Sequence, residues 1–200
     1  MPADADETVA KPTPPAAYVK GLALRKAEAA LALAKRSAEL QSAYVRALVV
    51  GADTVVVTQE GEILGKPIDG GDAERMLGLL SGRWHSVYTG VAVLELPLQT
   101  ASSALPASSA LPASAALPAP TAPLVRYERT RVKMRELGGG AIRRYAGSGE
   151  PEGKAGAYAI QGAGLSLIDR ISGCYSNVVG LPLRLLREML ESVGYNLTFI

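Results

Sequence analysis

Asp53 is the one ionisable residue in an otherwise apolar run, Leu48-Val49-Val50-Gly51-Ala52-Asp53-Thr54-Val55-Val56-Val57. The β-branched residues around it read as a buried strand. An ionised carboxylate in such a place costs several kcal/mol unless it meets a metal or a cation. Two roles fit it: a working acid, or an acceptor of backbone hydrogen bonds that hold a loop. Lys66 lies between Gly65 and Pro67, so its backbone is permissive on one side and stiff on the other. A lysine held that way suits a point-charge contact with phosphate; the plain alternative is a solvated loop lysine. Lys26 falls at helical spacing from Leu22 and Ala29, where it either snorkels or turns into a cleft as a second cation. Farther on, Lys154-Ala155-Gly156-Ala157-Tyr158 gathers small residues around one charge, with Gln161 shortly after. Small residues let backbone approach a ligand, and a glutamine amide offers both a donor and an acceptor to a base. These groups are the equipment of an enzyme that handles a polyanion.

The elements that must position them follow from periodicity. A helix is expected from Pro15, well placed in a first turn, to about Ser42, with Tyr18, Leu22, Lys26, Ala29 and Leu33 on one face. A strand covers about Ala47 to Thr58. On it, Thr54 would face away from Asp53 unless Gly51-Ala52 kinks the chain. Asp69 and Asp72 read as an N-terminal cap pair for a helix with Ala73, Met76, Leu77 and Leu80 on its apolar side, closed by Ser81-Gly82. Strands are expected over Trp84 to Leu96 and Val125 to Met134, with a short helix near Ala141 to Ala146. Strand-like pieces follow around Ala157 to Gln161 and Leu165 to Ile171. A last helix opens at Pro182, with Leu186, Met189, Leu190 and Val193 at helical spacing. The alternation predicts an α/β fold, a mixed twisted sheet flanked by helices.

The chain has 200 residues, enough for one domain or two closely packed lobes. Residues 1–14 form a polar segment and 15–200 the domain, with an Ala/Ser/Pro insert at 99–123. The insert holds near-copies of Ala-Ser-Ser-Ala-Leu-Pro; prolines at that spacing break helix and sheet alike, so it reads as a disordered connection between two strands. A formal net charge of +2 argues against a nucleic-acid binder. Cys174, the one cysteine, leaves no intramolecular disulfide and fits a reducing compartment. No apolar run approaches the roughly 18 residues of a membrane span, and Met1 to Pro15 has no signal-peptide core. A cytoplasmic location without membrane or nucleic-acid partners is expected. His85, the single histidine, reads as structural, and the arginines from Arg126 to Arg135 as the solvated edge of a strand.

Set in order, these pieces resemble the Maf family of nucleoside triphosphate pyrophosphatases. The resemblance is carried by Leu24-Arg25-Lys26-Ala27, Gly51 to Val56, Leu64-Gly65-Lys66-Pro67, and Leu80-Ser81-Gly82 with His85 to Gly90. Gly149-Glu150-Pro151, Lys154 to Gly162 and Gly173 to Leu183 complete it. The blocks fall in the family's order from about residue 6 to residue 193, interrupted by the insert.

The resemblance implies a Maf/ITPase-like fold of two lobes around a cleft. It also implies hydrolysis of a nucleoside triphosphate to the monophosphate and pyrophosphate with a divalent cation, Mg²⁺ or Mn²⁺. Asp53 matches the family's catalytic acid and presumed base; Lys26 and Lys66 match lysines of its triphosphate cleft, which Lys154 would join. Glu7 matches an acidic residue of the same cleft and, with Asp53, a metal ligand. Thr54 and Gln161 resemble the branch acting on dTTP and UTP, whereas the 7-methyl-GTP branch typically has glutamine after the acid. A homodimer is a further expectation. The family usually begins with a strand, a Ser-x-Pro-Arg-Arg loop and a helix, and nothing in Met1 to Tyr18 matches these. The acid that usually precedes the lysine of the Lys-Ala-Gly block is Gly153 here. Weak activity is therefore expected, and a catalytically impaired nucleotide-binding or cell-division regulatory protein stands as the alternative.

Overall fold

The computed structural model describes residues 13–38, 46–97 and 122–195. Glu7 and most of the Ala/Ser/Pro insert lie outside the described residues. Helix α1 (Pro15–Ala34) is followed by β1 (Arg46–Val57), β2 (Ile63–Leu64), α2 (Gly70–Leu80), β3 (Trp84–Pro97) and β4 (Leu124–Met134). Then come α3 (Gly139–Ala146), β5 (Ile168–Ser172), α4 (Tyr175–Val179) and α5 (Leu183–Ser192). The sheet order is β2-β1-β3-β4-β5.

The α/β class is as expected, but the sheet is not mixed: every pairing among the described residues is antiparallel. The reason lies in how the one helical crossover is threaded. β2 and β3 both run opposite to β1, so they are parallel to each other, and α2 links them as in a βαβ unit. They are not neighbours, because β1 lies between them.

Strand alternation divides the core. Odd positions of β1 and even positions of β3 face α1, which packs Ala23 and Ala27 against Ala92 and Leu94, and Val19 against Val55 and Val57. Even positions of β1 and odd positions of β3 face the other helices. There Val56 and Val87 join Met76, Leu77 and Leu80 of α2 and Tyr145 of α3, while Val91 and Val93 meet Leu185 and Met189 of α5. The helices of this face thus spread along β3, with α2 and α3 toward one end, α5 toward the other, and α4 between them, its Val178 packing against the α2–α3 cluster. The cleft opens at the β1 rim, between Lys26 of α1, the segments bearing Lys66 and Lys154, and the end of α4.

Glycine sets the approach of α1. A Cβ at Gly51 would lie 2.4 Å from the Ala23 carbonyl oxygen, and one at Gly90 would lie 2.2 Å from that of Val19. No side chain fits, so the helix backbone rests directly on β1 and β3. This overturns the expected helix face. The buried stripe is Val19, Leu22, Ala23 and Ala27, whereas Leu33 is exposed. The helix also ends at Ala34 rather than near Ser42, its last turn tightening as the Arg36 N–H bonds Leu33 O.

Three smaller differences concern irregular backbone. Ala157 to Gln161 is not a strand: Gly156 and Ala157 take positive φ (69° and 59°), and the Ala159 N–H goes to the Tyr145 hydroxyl instead of a neighbouring strand. Leu165 to Leu167 belongs to a 3₁₀ turn, and β5 begins at Ile168. The short β2 and α4 were not anticipated; two and five residues leave too little periodicity to read.

Candidate active site

The contact of α1 with β1 also builds the first part of the site. Gly51 lies two residues before Asp53 on the same strand face, and Ala23 and Ala27 rest on it. Lys26, on the intervening turn of α1, is thereby set beside Asp53, and its Nζ donates to Asp53 Oδ1. The Asp53 side chain keeps 11% of its exposure and that of Lys26 26%. The carboxylate is buried enough to require a cation and open enough to meet a ligand. Of the two readings of Lys26, the cleft-facing one is observed.

A cavity of about 240 Å³ opens here, and Lys26, Asp53, Thr54, Lys66, Lys154 and Gln161 all line it. These are the sequence-predicted site residues that fall among the described ones. Thr54 and Asp53 point to opposite faces, yet no kink is needed to bring both in. β2 pairs only with Val56 and Val57, so the segment before them runs along the rim of the sheet as described. The cleft wraps around that rim and takes Asp53 from one face and Thr54 from the other.

Thr54 stands over a buried polar network that sequence reasoning missed. Its Oγ1 lies 2.9 Å from Thr89 Oγ1, directly across the strand pair. Thr89 spends its one proton on the Asn177 carbonyl at 3.0 Å, so Thr54 must be the donor within the pair. The lone pairs of Thr54 are left as acceptors beside the cleft. Asn177 is itself buried, its Nδ2 donating to Val87 O and Thr130 Oγ1. Threonines at inward positions of β3 and β4 were the available signal, because a buried hydroxyl needs a partner.

The far wall carries the remaining groups on irregular backbone. The Gly156 N–H donates to Gly65 O at 2.9 Å, tying the turn that bears Lys154 to the loop that bears Lys66. Gly156 admits no side chain, since its Cβ would come within 2.8 Å of Val56. Both lysines are exposed, and neither side chain makes a hydrogen bond or close ion pair among the described residues. Gln161 is likewise exposed, with no side-chain partner among the described residues. The wall is completed by Tyr158, Ile160 and, at the end of α4, Val178, Val179 and the following Gly180.

Behind it, Tyr158 bonds His85 Nε2 at 2.7 Å, which accounts for the structural histidine. Burial pushes the His85 imidazole down to about 4, so it is neutral at neutral pH, and burial raises the Tyr158 hydroxyl. Tyr145 is raised mainly by burial, and the Tyr145 hydroxyl holds the Glu150 carboxyl below its usual range, helped by the backbone N–H groups of Ala163 and Gly164.

Among the described residues no three His, Cys, Asp or Glu side chains cluster as a metal cage. The donor set still fits a hard cation of the Mg²⁺ type, which is held by one or two carboxylates together with substrate phosphates and water. Among the described residues, Asp53 is the carboxylate that lines the cleft.

A family model described as Maf-like protein matches residues 1–193. A dTTP/UTP pyrophosphatase of Pelotomaculum thermopropionicum is 43% identical over 196 residues, spanning 98% of this chain and 85% of the relative. One from Moorella thermoacetica is 43% identical over 194 residues, 97% of this chain and 83% of its own length. Another, from Dictyoglomus thermophilum, is 44% identical over 154 residues, covering 77% and 68%. With the family model spanning nearly the whole sequence, the chain belongs to the Maf-like protein family.

Proposed function

We propose that the chain is a nucleoside triphosphate pyrophosphatase that hydrolyses dTTP and UTP to the monophosphate and pyrophosphate. The observation that carries the reading is the single cleft in which Asp53 and Lys26 face Lys66, Lys154 and Gln161. The names of the similar proteins from Pelotomaculum and Moorella support the same substrates.

In this reading Lys26, Lys66 and Lys154 receive the triphosphate and neutralise charge that grows on the leaving pyrophosphate. Asp53 takes a proton from water as the water oxygen bonds to the α-phosphorus and the bridging oxygen departs with the pyrophosphate. Asp53 would also hold a divalent cation, with Glu7, outside the described residues, as a second candidate ligand. A bound Mg²⁺ or Mn²⁺ supplies charge neutralisation on the phosphate oxygens. The Gln161 amide presents a donor and an acceptor together, matching the carbonyl and imino N–H on the pairing edge of uracil and thymine. Thr54 adds an acceptor on the opposite side.

The test is pyrophosphate release from a panel of triphosphates with Mg²⁺ or Mn²⁺. dTTP and UTP are expected to show the highest kcat/KM, and chelation by EDTA to abolish turnover. A panel led by 7-methyl-GTP or by purine triphosphates would overturn the reading.

A further inference from the structure

We infer that Glu150 and Tyr145 are positioning residues that set base selectivity by fixing the loop on which Gln161 stands. The inference rests on the proposed reaction and goes beyond it, because neither side chain lines the cleft.

Gln161 is exposed, and its amide has no side-chain partner among the described residues. A long side chain in that state selects a base only if its backbone is held still, since a site that orders on binding loses affinity to the ordering. Regular structure does not hold this backbone, for it lies between two 3₁₀ turns. Two side chains do so instead. The Ala159 N–H donates to the Tyr145 hydroxyl at 3.0 Å, two residues before Gln161. The Ala163 N–H donates to Glu150 Oε1 at 2.9 Å and the Gly164 N–H to Oε2 at 2.7 Å, just after it. The Tyr145 hydroxyl and the Glu150 carboxylate converge on Gly164, at 2.5 Å and 3.1 Å from where its Cβ would stand, so the two anchors form one unit with Gln161 between its contacts.

The glycines of the loop fit this unit and nothing larger. Gly162 takes φ +63°, and a Cβ there would lie 2.2 Å from Glu150 Oε1. A Cβ on Gly164 would lie 2.5 Å from the Tyr145 hydroxyl. The carboxylate is also the chemically required form. It accepts at both oxygens, whereas a glutamine in its place would turn an N–H₂ toward a backbone N–H. Tyr145 itself is buried against the core at the end of α3, so the unit is built on a rigid element.

The experiment is Glu150→Gln in the full chain, measured with dTTP, with tripolyphosphate as a base-less competitive inhibitor, and again in a Gln161→Ala background. Loss of a supporting shell costs about 10- to 100-fold. The expected result is a rise in KM for dTTP of about tenfold, with kcat changed less than about threefold and tripolyphosphate inhibition unaltered. In the Gln161→Ala background the same substitution is expected to add nothing, because its effect passes through that side chain. Amide hydrogen exchange at Ala163 and Gly164 is expected to speed up in Glu150→Gln whatever the activity. Should Glu150→Gln fail to fold, Tyr145→Phe removes one anchor and keeps the ring, with a smaller rise in KM expected. An unchanged KM, additivity with Gln161→Ala, or equal losses of dTTP and tripolyphosphate binding would overturn the inference. An unmutated chain that binds tripolyphosphate but cleaves no pyrimidine triphosphate would overturn the proposed reaction instead, and the selectivity claim with it.

Discussion

The two ends of the cleft are held by different physics. At one end Asp53 and Lys26 stand on a strand and a helix, and their meeting is dictated by backbone contact at Gly51 and Gly90. At the other end Gln161 stands on irregular chain, held by hydrogen bonds from Ala159, Ala163 and Gly164 to two side chains. The first arrangement makes a fixed charge pair whose position changes only if the core changes. The second leaves the proposed base reader on supports that can be altered one at a time. In the proposed reaction, chemistry would be fixed by packing, and selectivity by polar contacts that substitution can retune.

Breaking the packed end should have the largest effect. Asp53→Asn keeps the shape and removes the proton acceptor, so kcat is expected to fall by about a hundredfold or more, the usual scale for a general base. Steady-state kinetics on a variant with an unchanged circular dichroism spectrum checks this; near-normal turnover would remove Asp53 from its role.

The support behind the cleft offers a pH test. His85 has a native value of about 4 against an ordinary 6.5, so below pH 6.5 the unfolded chain binds a proton that the native state refuses. Through His85 alone, stability is therefore expected to decline by roughly 3 kcal/mol as pH falls from about 6.5 towards 4, at about 1.4 kcal/mol per unit. Carboxylates held below their usual range, such as Glu150, extend the decline at lower pH. Urea titrations at several pH values measure it, and His85→Gln should flatten the decline.

Gly51→Ala probes the glycine contact with a single methyl group. A Cβ 2.4 Å from the Ala23 carbonyl must push α1 outward, at a cost of about 1–3 kcal/mol for overpacking. The same shift moves Lys26 away from Asp53, so turnover should fall along with the melting temperature. A stable Gly51→Ala protein with full activity would show that the helix approach is not what sets the pair.

The smallest effect is expected at the loop end. Gln161→Ala should raise the KM for dTTP about tenfold and leave kcat nearly unchanged, the pattern for loss of binding shared by ground state and transition state. A large fall in kcat instead would assign Gln161 to the chemistry.

What could be read from the sequence follows the same division. Asp53 and α2 with its Asp69 cap were legible because an acid in a β-branched run and a capping pair are local signals, whereas Lys26 was left open between snorkelling and facing the cleft. The Asp69 side chain does accept from the Asp72 N–H, at 2.8 Å. The joint placement of Thr54 and Asp53 was not legible, since it depends on where β2 stops, and β2 is two residues long. Nor were the anchors of Gln161. Tyr145 and Glu150 lie more than ten residues before the groups they hold, and no periodicity links them. The all-antiparallel sheet likewise escaped, because a strand–helix–strand pattern does not reveal which strand will lie between.

One product analysis bears most directly on the central claim that the cleft cleaves between the α- and β-phosphates of a pyrimidine triphosphate. Phosphorus NMR of dTTP incubated with the chain and Mg²⁺ separates pyrophosphate from orthophosphate. Pyrophosphate and dTMP in equal amounts, lost together in Asp53→Asn, are the expected result. Orthophosphate with dTDP, or pyrophosphate formed equally well by Asp53→Asn, would contradict it.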